Sequence, residues 1–163
     1  MATWVDLAAL HNPAPGQRPP ASWGDGVNSN LAMLGGTAMA EVTTAQGTAS
    51  VTFVNLTTVG PTVNVDTGTK ALVLVYASFT SSLANSGAAL GVAVSGASTI
   101  AAGVGTEVLE IVSAATPIDK GITGIISFTT LTPGTNIFTL QYRAHWGGTA
   151  TFSYRRIAVI PLV

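Results

Sequence analysis

The sequence predicts an all-β protein: an antiparallel, jelly-roll-like β-sandwich of about eight strands, preceded by an extended N-terminal arm with one short helix. Three observations carry this. From Met39 onward, short segments rich in β-branched and aromatic residues follow one another with no helical period between them. Turn residues punctuate them at Gly60-Pro61, Thr67-Gly68, Asn85-Ser86-Gly87, Gly103, Pro133-Gly134 and Gly147-Gly148. Charged residues make up only 8% of the 163, against about a quarter in an ordinary soluble chain, and Thr, Ser, Gly and Asn fill the polar positions. The length suits one domain, divided here into an arm over 1–38 and a sandwich over 39–163.

The arm holds two of the three Trp and four of the eight Pro. His11 to Trp23 (HNPAPGQRPPASW) is expected to be extended, because each Pro fixes its own φ and biases the residue before it away from helix. Ser22 then makes an N-cap with Asp25 three positions on. Trp23, Val27, Asn30, Leu31 and Leu34 fall on one helical stripe, and Gly35-Gly36 stops the helix. A helix this short is marginal alone, so it must dock on something. With Trp4, the residues Trp23, Val27, Leu31 and Leu34 form the expected attachment arm.

Eight strands are expected after it: Val51–Val59, Thr62–Asp66, Lys70–Phe79, Ala89–Ser95, Glu107–Ala114, Gly121–Leu131, Asn136–Ala144 and Thr149–Leu162. In the seventh, Phe138, Leu140 and Tyr142 oppose Thr139, Gln141 and Arg143, the alternation of a half-buried strand. The eighth begins alike, with Phe152 and Tyr154 opposite Thr151, Ser153 and Arg155. It then becomes apolar on both faces at Ile157-Ala158-Val159-Ile160, as does Ala71–Tyr76. One face of an antiparallel sandwich strand normally meets water. Two doubly apolar strands therefore predict a covered outer face, and the expected interface residues are Leu72, Leu74, Tyr76, Ile157 and Val159. The cover is either another subunit, the favoured reading, or the arm folded back.

Several function classes are disfavoured. A net charge of −1, with basic residues scattered, gives no footprint for nucleic acid or an anionic membrane. No apolar run approaches the roughly 20 residues of a spanning helix, and the N-terminus lacks the pattern of a secretory signal, so synthesis in a cytoplasm is expected. With no cysteine, disulfides and thiolate metal sites are excluded. Asp6, Asp25, Glu41, Asp66, Glu107, Glu110 and Asp119 form no spaced pair that a metal or glycoside-cleaving site needs. His11 and His145 are isolated in loops, and no nucleophile elbow, phosphate loop or dinucleotide fingerprint occurs. Neither enzyme activity nor a cofactor or metal is expected. His145 and Trp146, in the turn before the last strand, are the candidate ligand or partner loop. There an aromatic either stacks on a sugar, fills a partner's pocket or packs over the open end of its own sandwich, the last slightly favoured.

Two segments carry a resemblance. The N-terminal TWVDLAALHNPAPGQRPPASWGDGVNSNLAML, with Trp4, Pro13, Gly16, Ala21, Trp23, Val27, Asn28, Asn30, Leu31 and Leu34 at the matching places, resembles the opening of small tailed-bacteriophage virion proteins. The closing TLQYRAHWGGTATFSYRRIAVIPL is similar to the last hairpin of the same class, in which a strand ending in Tyr-Arg returns to an Arg-Arg-aliphatic-Pro-Leu terminus. Pro19-Pro20-Ala21-Ser22 departs from the Ile-Thr-Ala usual before that Trp. The resemblance covers about a third of the chain. It implies a non-enzymatic protein of the virion exterior, made in the bacterial cytoplasm and forming a homotrimer. Capsid decoration, through contacts with the major capsid protein, is the favoured role. The alternative is a tail-attached receptor-binding or fibre-tip protein that contacts a tail protein and recognises a host glycan.

Overall fold

The computed structural model describes residues 36–112 and 120–162, together with Asp25, Val27 and Asn28; for 109–112 only the backbone is described. Trp4, Trp23, Leu31 and Leu34 lie outside the described residues. The three described arm residues are helical, with Val27 half-buried and Asp25 and Asn28 exposed.

The described residues form an antiparallel β-sandwich of nine strands: β1 (Ala38–Val42), β2 (Gln46–Thr48), β3 (Thr62–Thr67), β4 (Lys70–Ser81), β5 (Ser86–Gly96), β6 (Glu107–Val112), β7 (Lys120–Phe128), β8 (Gly134–His145) and β9 (Ala150–Leu162). One sheet has the order β1-β9-β4-β7, with β2 also paired to β9; the other has β3-β8-β5-β6. From β3 onward, every consecutive pair except β5–β6 is split between the two sheets. That alternation is the wrapped double Greek key of a jelly roll. It also corrects one expectation: β8 and β9 are not a paired hairpin, and the turn between them passes from one sheet to the other.

Alternation along the strands fills the space between the sheets. Val73, Val75 and Phe79 of β4 and Phe152, Ile157 and Val159 of β9 meet Leu90 and Val92 of β5 and Phe138, Leu140 and Tyr142 of β8. Phe152 lies 4.9 Å from Tyr142 and 6.3 Å from Phe79, centroid to centroid. Phe128 meets Phe138 edge-on at 5.7 Å. At one end the buried Asn136 joins three segments. Its Oδ1 accepts the Ser98 N–H at 2.8 Å, and its Nδ2 donates to Thr67 Oγ1 at 2.8 Å and the Thr132 carbonyl at 3.0 Å.

Two expectations on strands need correction. Residues 51–59 are a crossing strap, with a single bridge from Val54 to Tyr142. The strap leaves the first sheet after β2 and must reach the second at β3, so its backbone cannot stay in one ladder. Local bonds of Ser50 Oγ to the Thr52 carbonyl and N–H compete with pairing. Phe53 turns outward over the second sheet, where a side chain at Gly91 would approach its ring to 2.7 Å. In turn, β1 and β2 arise where no strand was expected.

The second correction concerns β9. Tyr76 pairs with Arg156 and Ser78 with Ser153, so Tyr154 and Arg155 together oppose Ala77. This is a β-bulge, with Tyr154 at φ 48°. The extra residue reverses the expected alternation. Tyr154 points out and Arg155 points in, its side chain fully buried. Beyond the bulge, Ile157 and Val159 face the core, so the two expected as interface residues are internal, and Ala158 and Ile160 look outward.

Candidate functional site

The outer face of the first sheet is built in rows. Backbone register aligns Met39, Ala158, Leu74 and Ile125 across all four strands. One row away are Glu41, Arg156, Tyr76 and Thr123, and on the other side Ile160, Leu72 and Ser127. Met39 is 78% exposed, Ile125 66% and Leu74 38%. With the half-buried Leu72, Ile160 and Ala158 they form a continuous apolar strip. Between the first two rows runs a groove of about 640 Å³. Its polar margin is fixed: Arg156 Nε donates to Glu41 Oε1 at 2.9 Å, and its guanidinium lies 5.8 Å from the Tyr76 ring centre. Leu72, Leu74 and Tyr76 are thus on the face expected from sequence. Met39 and Ile125 join them only through strand pairing, which single-strand patterning does not reveal.

Among the described residues nothing covers this strip, and an exposed apolar patch of this kind commonly marks an interaction surface. The Arg156–Glu41 ion pair at the margin neutralises itself, and Tyr76 and Thr123 place hydroxyls beside it.

The second sheet has a different outer face. Strand β5 presents Gly87, Ala89, Gly91 and Ala93 there, small enough for neighbouring side chains to pass above. Arg143 of β8 crosses this gap to Glu107 of β6, donating through Nε at 3.3 Å and Nη2 at 2.9 Å. It also lies over Phe53, 5.2 Å from the ring centre. Arg143 Nη1 is 2.8 Å from His145 Nδ1; since a guanidinium only donates, Nδ1 accepts and the imidazole proton sits on Nε2. Trp146 follows at φ 59°, its ring 4.3 Å from that of His145. The indole is 64% exposed, so it does not pack over the sandwich end, contrary to the slightly favoured expectation.

The most unusual ionisable group lies inside. Arg155 donates through Nη1 to the Thr58 and Gly60 carbonyls at 3.2 and 3.3 Å, and through Nη2 to the Thr44 carbonyl and Gln46 Oε1, both at 3.4 Å. Its guanidinium carbon is 5.3 Å from the Tyr142 ring centre. The Tyr142 hydroxyl donates to the Gly60 carbonyl at 2.8 Å. Burial pushes that hydroxyl far above the ordinary phenol range, against the lowering pull of Arg155. A deeply buried Arg–Tyr pair suggests chemistry at first sight. Its donors end on three loop carbonyls and the Gln46 side-chain amide, however, which makes it a fastener between strap and sheet. Among the described residues no group of three His, Asp or Glu side chains converges as metal ligands would, and no helix is long and apolar enough to cross a membrane.

No protein-family model and no curated protein matches the chain. Solved structures similar to it include that of the infectious bursal disease virus Gx strain, at 17% identity and TM-score 0.47 over 76% of this chain and 31% of the other. The chain therefore spans less than a third of that viral chain's length. The Eiger TNF of S. frugiperda is similar at 11% identity and TM-score 0.38, over 74% of this chain and 93% of the other. The CBM22-1 xylan-binding domain of Paenibacillus barcinonensis Xyn10C is similar at 12% identity and TM-score 0.36, over 78% and 88%. Likeness this distant says nothing of partner or role, and the jelly-roll assignment rests on the strand order itself.

Proposed function

We propose that the chain is a non-enzymatic structural component of a bacteriophage virion, most closely a capsid decoration protein. In this reading a homo-oligomer, most simply a trimer, sits on the capsid exterior, and binding energy to neighbouring major-capsid subunits adds to lattice stability by mass action. The observation that carries it is the row Met39–Ala158–Leu74–Ile125, an apolar surface that the described residues leave exposed. The resemblance of the N-terminal arm and closing strands to small phage virion proteins supplies the setting.

The arm is assigned to attachment. All nine described strands begin at or after Ala38, so deleting residues 1–36 leaves each of them intact. The truncated protein is expected to remain soluble and β-rich yet fail to rejoin particles stripped of the native protein. Trp23→Ala alone should weaken attachment by about 2–4 kcal/mol, the usual cost of truncating a buried aromatic anchor. Co-sedimentation with stripped particles measures both, and full rebinding of the truncated form would show that the sandwich itself docks.

The exposure of Trp146 favours a second reading, a tail-attached receptor-binding protein that presents this loop to a host surface.

A further inference from the structure

We propose that Trp146 is the stacking plate of a binding site for an uncharged pyranose ring. This deepens the second reading.

Trp146, Gly147 and Gly148 have φ of 59°, 91° and 74°, three successive left-handed residues. Two are glycines, as the geometry requires; the third is a bulky aromatic, which this region disfavours. Strain of this kind persists where something else demands it, and that demand is commonly functional. Burial is not the compensation, since the indole is 64% exposed.

The plate is nonetheless held firmly. His145 lies against it at 4.3 Å with a 46° tilt between the rings. Arg143 holds His145 through Nδ1 at 2.8 Å, and Glu107 holds Arg143 at 2.9 Å. The side chains of Arg143 and Glu107 are only 16% and 20% exposed, so the base of this chain of contacts is fixed. On the other flank, the Thr149 N–H donates to Ser82 Oγ at 2.8 Å, and Gly148 is confined by Leu83 and Ser82. The result is a rigid, exposed, flat apolar surface beside an imidazole whose Nε2 carries a proton to donate.

Charge decides the ligand class. Glu107 neutralises Arg143, leaving no net positive charge to attract a phosphate or a nucleic acid. A flat aromatic face with one neutral N–H donor at its edge suits a ring that has an apolar C–H face and peripheral hydroxyls. That is a neutral pyranose.

Two experiments test this. In the first, methyl glycosides of glucose, galactose, mannose and N-acetylglucosamine are titrated into the purified full-length protein, with sorbitol as an acyclic control. The three indole N–H signals are followed by NMR, and Trp146→Phe assigns the relevant one. At least one glycoside should shift the Trp146 signal saturably, with a Kd of about 1 mM or weaker for a single stacked ring, while sorbitol should not. No saturable shift, an equal response to sorbitol, or a shift that depends only on protein concentration would overturn the proposal; the last would identify a protein–protein contact instead. In the second, Trp146→Gly should raise Tm by about 2–4 °C by releasing the strain. A fall in Tm would make the indole a structural element and overturn the proposal. Particle location does not enter either measurement, so a negative titration removes the saccharide site and leaves tail location to be decided by labelling of particles.

Discussion

Arg155→Ala is expected to remove about 3–5 kcal/mol of unfolding free energy, a large share of the 5–15 kcal/mol typical of a domain. The buried guanidinium spans two separate segments. Thr44 and Gln46 lie on one side, Thr58 and Gly60 on the other. Gln46 itself clasps the strap, with Nε2 donating to Thr58 Oγ1 and Oε1 accepting the Thr58 N–H, each at 2.9 Å. Truncation leaves carbonyls without donors and a cavity against Tyr142. The charge itself is a cost: among the described residues no carboxylate accepts a hydrogen bond from it, and Nε is buried without a partner. Arg155→Met keeps most of the volume and discards the charge, so it should lose less than the alanine variant. Urea melts of the three proteins, compared at equal m-values, give the order. An alanine variant within about 1 kcal/mol of the parent would show that the fastener contributes little.

Leu74→Asp is expected to abolish self-association while leaving the monomer folded. Leu74 is central in the exposed row, with Ala158 on one side and Ile125 on the other. On a free surface a carboxylate there is harmless. Buried in an apolar interface without a partner it costs several kcal/mol, and about 4 kcal/mol would weaken association roughly a thousandfold. Val104→Asp is the control, because Val104 is 97% exposed in the loop between β5 and β6. Sedimentation velocity and circular dichroism on both variants separate loss of assembly from loss of fold. Unchanged assembly in Leu74→Asp would move the interface elsewhere.

The sequence made the long strands legible, and physical reasons explain what it hid. Strands β4, β5, β7, β8 and β9 carry alternation or apolar runs that the sandwich uses directly. Strands β1 and β2 are AMAEV and QGT, poor in β-favouring residues, and exist because β9 offers a long edge to pair with. The strap has strand-like composition but must change sheets. The bulge disguised Arg155, since Phe-Ser-Tyr-Arg reads as plain alternation. One signal was present: Phe152 and Ile157 are an odd number of residues apart, so both can face one core only if a residue is inserted between them. Missing that shift assigned Ile157 and Val159 to the outer face in place of Ala158 and Ile160. The apolar character of the face was readable from Leu72, Leu74 and Tyr76. Its full extent depended on register, which brings Met39 and Ile125 from strands far apart in the chain.

The outer face of the β1-β9-β4-β7 sheet is the proposed surface for self-association. Light scattering of the purified full-length protein, coupled to size exclusion at micromolar concentration, tests it most directly. A single homo-oligomeric species is expected, most simply at three times the 16.4 kDa chain mass. A monodisperse monomer at 16.4 kDa would contradict it.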